Sequence, residues 1–392
     1  MRIVYYLPDI DAGVSRIVKN LLQYRQKITG VNYAVVLFRR NDQNEKDAGT
    51  DFNADEIIRF KYREEENAFT VFKRLSKTLK SEKDVIVGND GFEIKMVATM
   101  RLKNPVVYIM HGDFIDYYII LKYYHTVINC IIAYSNKIEM EVKLVAGVEV
   151  KKVHKIYYPS AAVANLPNRK EQSGLFKIVF AGFIIERKGA DLLPKIYNQL
   201  ISLGMDNFEL EIIGEGELLP EMKAAFDDKR NVILPGWSNQ EYVNKQMKDA
   251  DVFLFPSRRE GLPNVLVEAM AAGAVPVVSN LESGVSDIVL DDFNGLLVAT
   301  DDVNGFADAV FKLYKNKIKL KELAGNGIES VSKFEPIAQA KAYEDLIIET
   351  GTLLNDIQRI YPRYKRGRVL DIKWIPGCMV FMARKIFKNP KL

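Results

Sequence analysis

The stretch from Val252 to Val278 does more than any other to limit what this chain can fold into. An apolar run, Val252–Phe255, leads into a loop that holds Glu260, Gly261 and Pro263; a helical pattern follows, and then a second apolar run, Val275–Val278. Pro263 stands where a first helical turn begins, a position whose N–H has no intrahelical partner in any case, and Gly273 stands where the helix ends. The order is therefore strand, tight loop, helix, strand, and strands joined through a helix pair parallel. Glu260 lies in the loop beside the positive end of the helix dipole. Glu268 lies in the second helical turn, seven residues intervening. Helix N-termini attract phosphate oxygens, and carboxylates nearby accept hydrogen bonds from hydroxyls. The two together suit a ligand that joins a diphosphate to sugars.

The same alternation of short β-rich runs and helical patterns continues along the chain, which argues for parallel sheets with crossover helices. Ile3–Leu7, Tyr33–Phe38, Val85–Val87, Val106–Met110 and Ile131–Tyr134 read as strands of a first sheet. Lys177–Ala181, Phe208–Ile213, Val232–Leu234, Val252–Phe255, Val275–Val278 and Leu296–Val298 read as strands of a second. Between them Tyr157–Gly174, with Pro159, Pro167, Asn165 and Asn168, reads as a linker. Ser238 and Glu241 read as a capping box opening a helix. A chain of 392 residues exceeds one ordinary core. The expectation is an α/β protein of two doubly wound domains, residues 1–170 and 171–360.

The Glu260–Glu268 spacing, with the following AMAAG and PVV, resembles the donor-site signature of the GT4 family of retaining glycosyltransferases. The resemblance is specific over residues 177–300 and diffuse in the first 170. It implies the GT-B fold, two Rossmann-like domains facing each other across a cleft, with residues 361–392 packing back on the first. The second domain then binds a nucleotide-diphospho-sugar of UDP or GDP type as substrate. No cofactor or metal is implied, and no Asp-x-Asp motif lies near the donor segment. In the loop Ala181–Gly189, AGFIIERKG, Lys188 matches the family lysine that steadies the departing diphosphate, where fixed cations offset developing charge. Many members carry an arginine after the first glycine; here Phe183 replaces it, and the neighbouring Arg187 is the candidate to compensate.

Glu268 matches the glutamate that holds the ribose hydroxyls, and Glu260 the one that contacts the donor sugar. Gly261, Leu262, Pro263 and Asn264 would line the sugar–phosphate junction, with N–H donors from Leu262 and Asn264. Ile213–Gly216, IGEG, offers Gly214 and Gly216 for close backbone approach to the ligand. It lacks the third glycine of a dinucleotide fingerprint, so a hydride-transfer cofactor is not supported. Trp237 is the candidate wall of a nucleobase pocket. In the first domain, DAGVSR keeps Gly13 of a family glycine pair beside the acceptor, with Ala12 in the other place, and Arg16 is a candidate phosphate contact. His111, ending the VVYIM strand, stands where the family often places a histidine near the anomeric carbon, and Ser135 is a weaker candidate at the next strand end.

The two cysteines, Cys130 and Cys378, make neither a disulfide framework nor a metal spacing, which fits a reducing, cytoplasmic setting. Residues 115–134 are apolar overall, but Asp116, Lys122, His125 and Asn129 interrupt them and argue against a membrane span. Charge is unevenly placed. Residues 1–170 hold 27 Lys and Arg against 20 Asp and Glu, residues 171–360 hold 19 against 30, and residues 361–392 hold 9 against 1. A basic first domain and tail would attract an anionic membrane surface at the inner face of the membrane. In the tail Trp374, Ile375, Val380, Phe381, Ile386 and Phe387 alternate with Arg384, Lys385 and Lys388, as in an interfacial helix. A nucleic-acid partner is disfavoured, because no aromatic platform accompanies the basic residues.

The expected activity is transfer of a sugar to a glycan or lipid-linked glycan acceptor in bacterial surface polysaccharide assembly. His111, Lys188 and Glu260 are the candidate catalytic residues. The alternatives are a GT-B phosphorylase-like enzyme or a non-catalytic sugar-nucleotide-binding protein, the latter suggested by Phe183.

Overall fold

The computed structural model describes residues 1–44, 46–164, 174–352 and 359–362. The chain divides into two compact units, Met1–Pro159 with Ile337–Leu392, and Ser160–Pro336. The boundary thus falls at Pro159, earlier than residue 170, and the return to the first unit begins at Ile337, earlier than residue 361. The tail residues from 363 onward lie outside the described residues.

Unit 1 is a seven-stranded sheet of β1 (Arg2–Pro8), β2 (Asn32–Arg40), β3 (Glu56–Tyr62), β4 (Val85–Gly88), β5 (Val106–Met110), β6 (Cys130–Ala133) and β7 (Val153–Lys155). All neighbours pair parallel, in the order β3-β2-β1-β4-β5-β6-β7. The inner strands are unbroken apolar runs because helices cover both faces: β4, β5 and β6 are buried at every position. The two edge strands were the ones absent from the sequence reading. In β3, EIIRFKY, no residue is buried, and β7 has only three residues. Charged and short edge strands discourage pairing with another chain, and the same features hide them from a hydrophobicity pattern.

The Pro336–Thr352 helix belongs to unit 1 and is held by a buried carboxylate. Glu344 accepts from the Tyr33 hydroxyl and, at 3.1 Å, from the Gln26 N–H. Burial and the Glu344 charge raise the Tyr33 phenol well above its ordinary value, so it stays a donor. Further on, Arg359 Nη1 donates to the Leu102 carbonyl at 3.0 Å, and the Tyr361 hydroxyl does the same at 3.0 Å.

Unit 2 is a six-stranded parallel sheet of β8 (Phe176–Ala181), β9 (Phe208–Ile213), β10 (Val232–Gly236), β11 (Val252–Phe255), β12 (Val275–Ser279) and β13 (Leu296–Val298). Its order is β10-β9-β8-β11-β12-β13. Ile178, Phe180, Leu254 and Val277 form the centre of its core. The helix after β11 spans Asn264–Ala271, with Pro263 as its N-cap, one position earlier than expected. Gly273 closes it in the left-handed region (φ 88°), its N–H bonded to the Met270 carbonyl at 3.0 Å. The helix after β10 is capped by Asn239, whose side chain accepts from the Tyr242 N–H at 2.9 Å. The capping box read at Ser238 and Glu241 is therefore corrected to a side-chain cap at Asn239.

Candidate functional site

In unit 2 the strand order reverses between β8 and β11: the chain runs outward through β9 and β10, then crosses to the other side of β8. Loops leaving such neighbours part, and ligands of open α/β sheets bind in the gap at the strands' carboxyl ends. The loops at this reversal, after β8 and after β11, are the two that hold Lys188 and Glu260. They still meet at particular points near Gly189. Gly189 (φ 68°) has no room for a side chain, since an added Cβ would stand 2.1 Å from the Pro256 carbonyl oxygen. The Arg258 N–H donates to the Arg187 carbonyl at 2.9 Å, and Arg187 Nη1 donates to the Arg259 carbonyl at 3.0 Å.

Lys188 ends the short turn Glu186–Lys188, and its Nζ meets Glu260 Oε1 at 2.6 Å. The side chains are 13% and 7% exposed, and the ammonium lies over the Phe255 ring at 5.3 Å from its centre. The two predicted residues are thus brought into one ion pair. Among the described residues Arg187 joins no such pair; its guanidinium braces the neighbouring loop, and Lys188 is the cation facing Glu260.

Gly214 and Gly216 each meet backbone of the loop after β8 on the side where a Cβ would stand. Added Cβ atoms would stand 1.9 Å from the Gly182 carbonyl oxygen and 2.3 Å from that of Ile184. What these glycines admit is the backbone of the β8 loop, and the Ile184 N–H donates to the Glu215 carbonyl at 2.8 Å. The Gly261 carbonyl accepts from the Gly284 N–H at 2.8 Å, which fixes the loop, and Leu262 is buried. Asn264 is the first residue of the helix, and Glu268, one turn on, is half-buried and accepts from Gln240 Nε2 at 3.2 Å. Phe183 and Trp237 are both largely exposed, at 67% and 62%. Exposed aromatic rings at the carboxyl edge of a sheet offer apolar faces to a planar or ring-shaped ligand.

Unit 1 has its own reversal, between β1 and β4. Gly13 opens the Gly13–Tyr24 helix after β1, and a Cβ there would meet nothing within 4 Å. Arg16 is exposed in the same first turn. His111 follows β5 directly, and its Nε2 lies 2.7 Å from Asn89 Oδ1. Asn89 uses its amide N–H groups on the Tyr6 and Val87 carbonyls, at 2.9 and 3.2 Å, so its oxygen must accept and His111 Nε2 must donate. Nδ1 is left as a bare acceptor, shut off from solvent and without a partner among the described residues, although the residue as a whole is part-exposed. Burial pushes the imidazole down to about 3, so it is neutral at physiological pH. Ser135, by contrast, caps the Asn136–Leu144 helix through a 3.2 Å bond from the Ile138 N–H.

Sequence reading missed the group around His111. Glu93 is fully buried; its Oε1 accepts from the Gly91 and Asp90 N–H groups at 3.0 and 3.3 Å, and its Oε2 has no partner among the described residues. Burial, with the Asp90 charge, pushes its carboxyl up to about 8. Asp90 is itself raised by its surroundings, although its side chain reaches solvent. The signal available was Val85–Asp90, VIVGND, a strand running straight into Gly-Asn-Asp.

Residues 176–316 match the glycosyl transferases group 1 family. The match covers the reversal point of unit 2 and every predicted donor-side residue. An uncharacterized glycosyltransferase of Methanocaldococcus jannaschii is 28% identical over 174 residues, which is 43% of this chain and 48% of that protein. The UDP-Gal:α-D-GlcNAc-diphosphoundecaprenol α-1,3-galactosyltransferase of Escherichia coli is 28% identical over 147 residues, 35% of this chain and 37% of that one. The matched stretches span less than half the length of either relative. Among solved structures, Anabaena HepE in complex with UDP aligns with a TM-score of 0.71 over 89% of this chain and all of its own, at 15% identity. That likeness concerns the fold, the two Rossmann-like domains of GT-B glycosyltransferases.

Two outcomes follow from the geometry. Lys188→Met strands the Glu260 carboxylate in a mostly dry place and costs about 2–4 kcal/mol, somewhat below a fully buried pair because some solvent reaches it. The double variant with Glu260→Gln recovers most of that loss in urea unfolding; equal losses in the single and double variants would show that the pair is not coupled. The second outcome concerns pH. Between the ordinary carboxyl value of 4.5 and about 8, the folded protein keeps the Glu93 proton and the unfolded chain releases it. Stability from Glu93 therefore falls as pH rises through that window. Glu93→Gln, neutral throughout, gains on the native sequence from pH 5 to pH 8; a pH-independent difference would place Glu93 in its charged form.

Proposed function

We propose that this chain is a retaining glycosyltransferase of the GT4 family. It moves a sugar from a nucleotide-diphospho-sugar, UDP-type in the first instance, to a glycan or lipid-linked glycan acceptor in bacterial surface polysaccharide assembly. The observation that carries this is the pairing of Lys188 with Glu260 at the reversal point of unit 2, one short loop before Glu268. The matched family, the UDP held by the structural neighbour and the diphospholipid acceptor in the E. coli relative's name support the reading.

In this mechanism Lys188 and the N-terminus of the Asn264–Ala271 helix take the charge that grows on the departing diphosphate. Without ligand, Glu260 neutralises Lys188. A bound diphosphate takes over that contact, and Glu260 turns to the hydroxyls of the sugar. Glu268 takes the ribose hydroxyls, exchanging the weak 3.2 Å bond from Gln240 for two vicinal donors. Gly261 to Asn264 would line the sugar–phosphate junction, and Trp237 would offer its exposed face to the base. Gly13, Arg16 and His111 form the acceptor-side part of the proposal, His111 as an uncharged ring that Asn89 holds in place rather than as a source of charge. Attack on the face from which the diphosphate leaves gives retention, and protein cations stand in for a metal ion.

Unit 1 also presents a surface suited to the bilayer that carries such an acceptor. Phe114, Ile115, Ile119, Met140, Leu144 and Val150 are all exposed. They lie on or beside the Ile115–Tyr124 and Asn136–Leu144 helices, which meet where the Tyr118 hydroxyl donates to Glu141. Lys137 and Lys143 on this face already pair with Asp113 and Glu139, so apolar insertion rather than charge dominates the attraction there. Among the described residues no helix is long and apolar enough to cross a membrane.

The donor test is thermal stabilisation. UDP at about one hundred times its dissociation constant stabilises by about 2.7 kcal/mol, and Glu268→Ala abolishes the effect. Silence toward UDP, GDP, ADP and CMP alike would favour a chain that keeps the fold without donor binding, as Phe183 at the arginine position suggests. For the surface, the protein co-sediments with vesicles containing anionic phospholipid, and Ile115→Asp with Leu144→Asp releases it. Unchanged co-sedimentation of that variant would remove this face from the account.

A further inference from the structure

Arg258 stands two residues before Glu260, its side chain in none of the roles assigned above, and its guanidinium donates to Asp191, Glu186 and Asp301. Its Nη1 and Nη2 grip the two carboxylate oxygens of Asp191 at 2.6 and 2.8 Å. Nη1 also donates to the Glu186 carbonyl, and Nε donates to Asp301 Oδ1 at 2.7 Å. Glu186 begins the turn that ends in Lys188, and Asp191 lies three residues beyond Lys188. One guanidinium therefore holds both flanks of the lysine while its own backbone leads to Glu260. Asp301, on the connection after β13, sits in the left-handed region at φ 64°, which Asp adopts more readily than most side-chain-bearing residues. A lysine has no fork with which to reach Asp191 twice and Asp301 as well.

We propose that Arg258 is a positioning residue for diphosphate binding, holding the backbone on both sides of Lys188 so that its ammonium is in place to receive a diphosphate. This rests on the reading of the pair as a donor site. Arg258 acts through Lys188, with Asp191 as its anchor and Asp301 as the tie to the third loop.

The experiment compares UDP with uridine, which lacks the phosphates but keeps the ribose that Glu268 would hold. Titrations by calorimetry, or by ligand-observed NMR for the weaker ligand, are run on the full chain and on Arg258→Lys and Asp191→Asn. Each variant is expected to lose about tenfold or more in UDP affinity, near 1.4 kcal/mol, with uridine affinity unchanged within about twofold. Equal loss for both ligands would show a merely structural role for Arg258, and undiminished UDP affinity would show none at all; either overturns the proposal and leaves the donor site standing. Absence of UDP binding by the unaltered protein would overturn the donor-site reading and this inference with it. Should Arg258→Lys fold poorly, Asp191→Asn, which keeps the guanidinium, decides the matter alone.

Discussion

A parallel sheet whose crossovers reverse direction sends the loops of two neighbouring strands apart, and no crossover helix fills the space between them. In unit 2 that place is between β8 and β11, and the chemistry of the unit is arranged around it. Gly189 lets the two loops touch through bare backbone against Pro256. Arg187 and Arg258 then stitch them with hydrogen bonds, and the contact sets Lys188 against Glu260. Each part depends on the one before: a side chain at Gly189 would part the loops, and parted loops would leave two ionised groups in a poorly solvated place without each other.

The inner strands and the donor loop were legible in the sequence because each obeys a local rule. Strands buried on both faces are continuous apolar runs, and Pro263 and Gly273 bracket the helix as helix ends require. The edges were not legible. EIIRFKY in β3 alternates with charge, and β7 is too short for any pattern. Glycine roles were legible only in part: that Gly214 and Gly216 need space follows from their lack of a side chain, but what fills the space, the backbone of Gly182 and Ile184, is a tertiary fact. The same holds for Arg187 and Arg258. Adjacent in type and near in sequence to the site, they differ in what they reach, and only the fold separates them.

Unit 1 places two titratable groups close in the fold and holds both uncharged. Burial lowers His111 and raises Glu93, the latter helped by Asp90. Their effects on stability oppose each other. A folded protein that refuses a proton at His111 loses stability as pH falls below the ordinary histidine value, whereas one that retains a proton at Glu93 loses stability as pH rises. Consecutive residues hold them: Asn89 Oδ1 accepts from the imidazole, and the Asp90 N–H donates to the Glu93 carboxyl.

The central claim is that the Lys188–Glu260 pair is the resting form of a diphosphate site. A crystal structure with UDP bound tests it most directly. The expected result is a phosphate oxygen within hydrogen-bond distance of Lys188 Nζ, Glu260 withdrawn beyond about 4 Å from the ammonium, and the ribose hydroxyls on Glu268. UDP seated elsewhere, with Lys188 and Glu260 still joined as they are in the free protein, would contradict it.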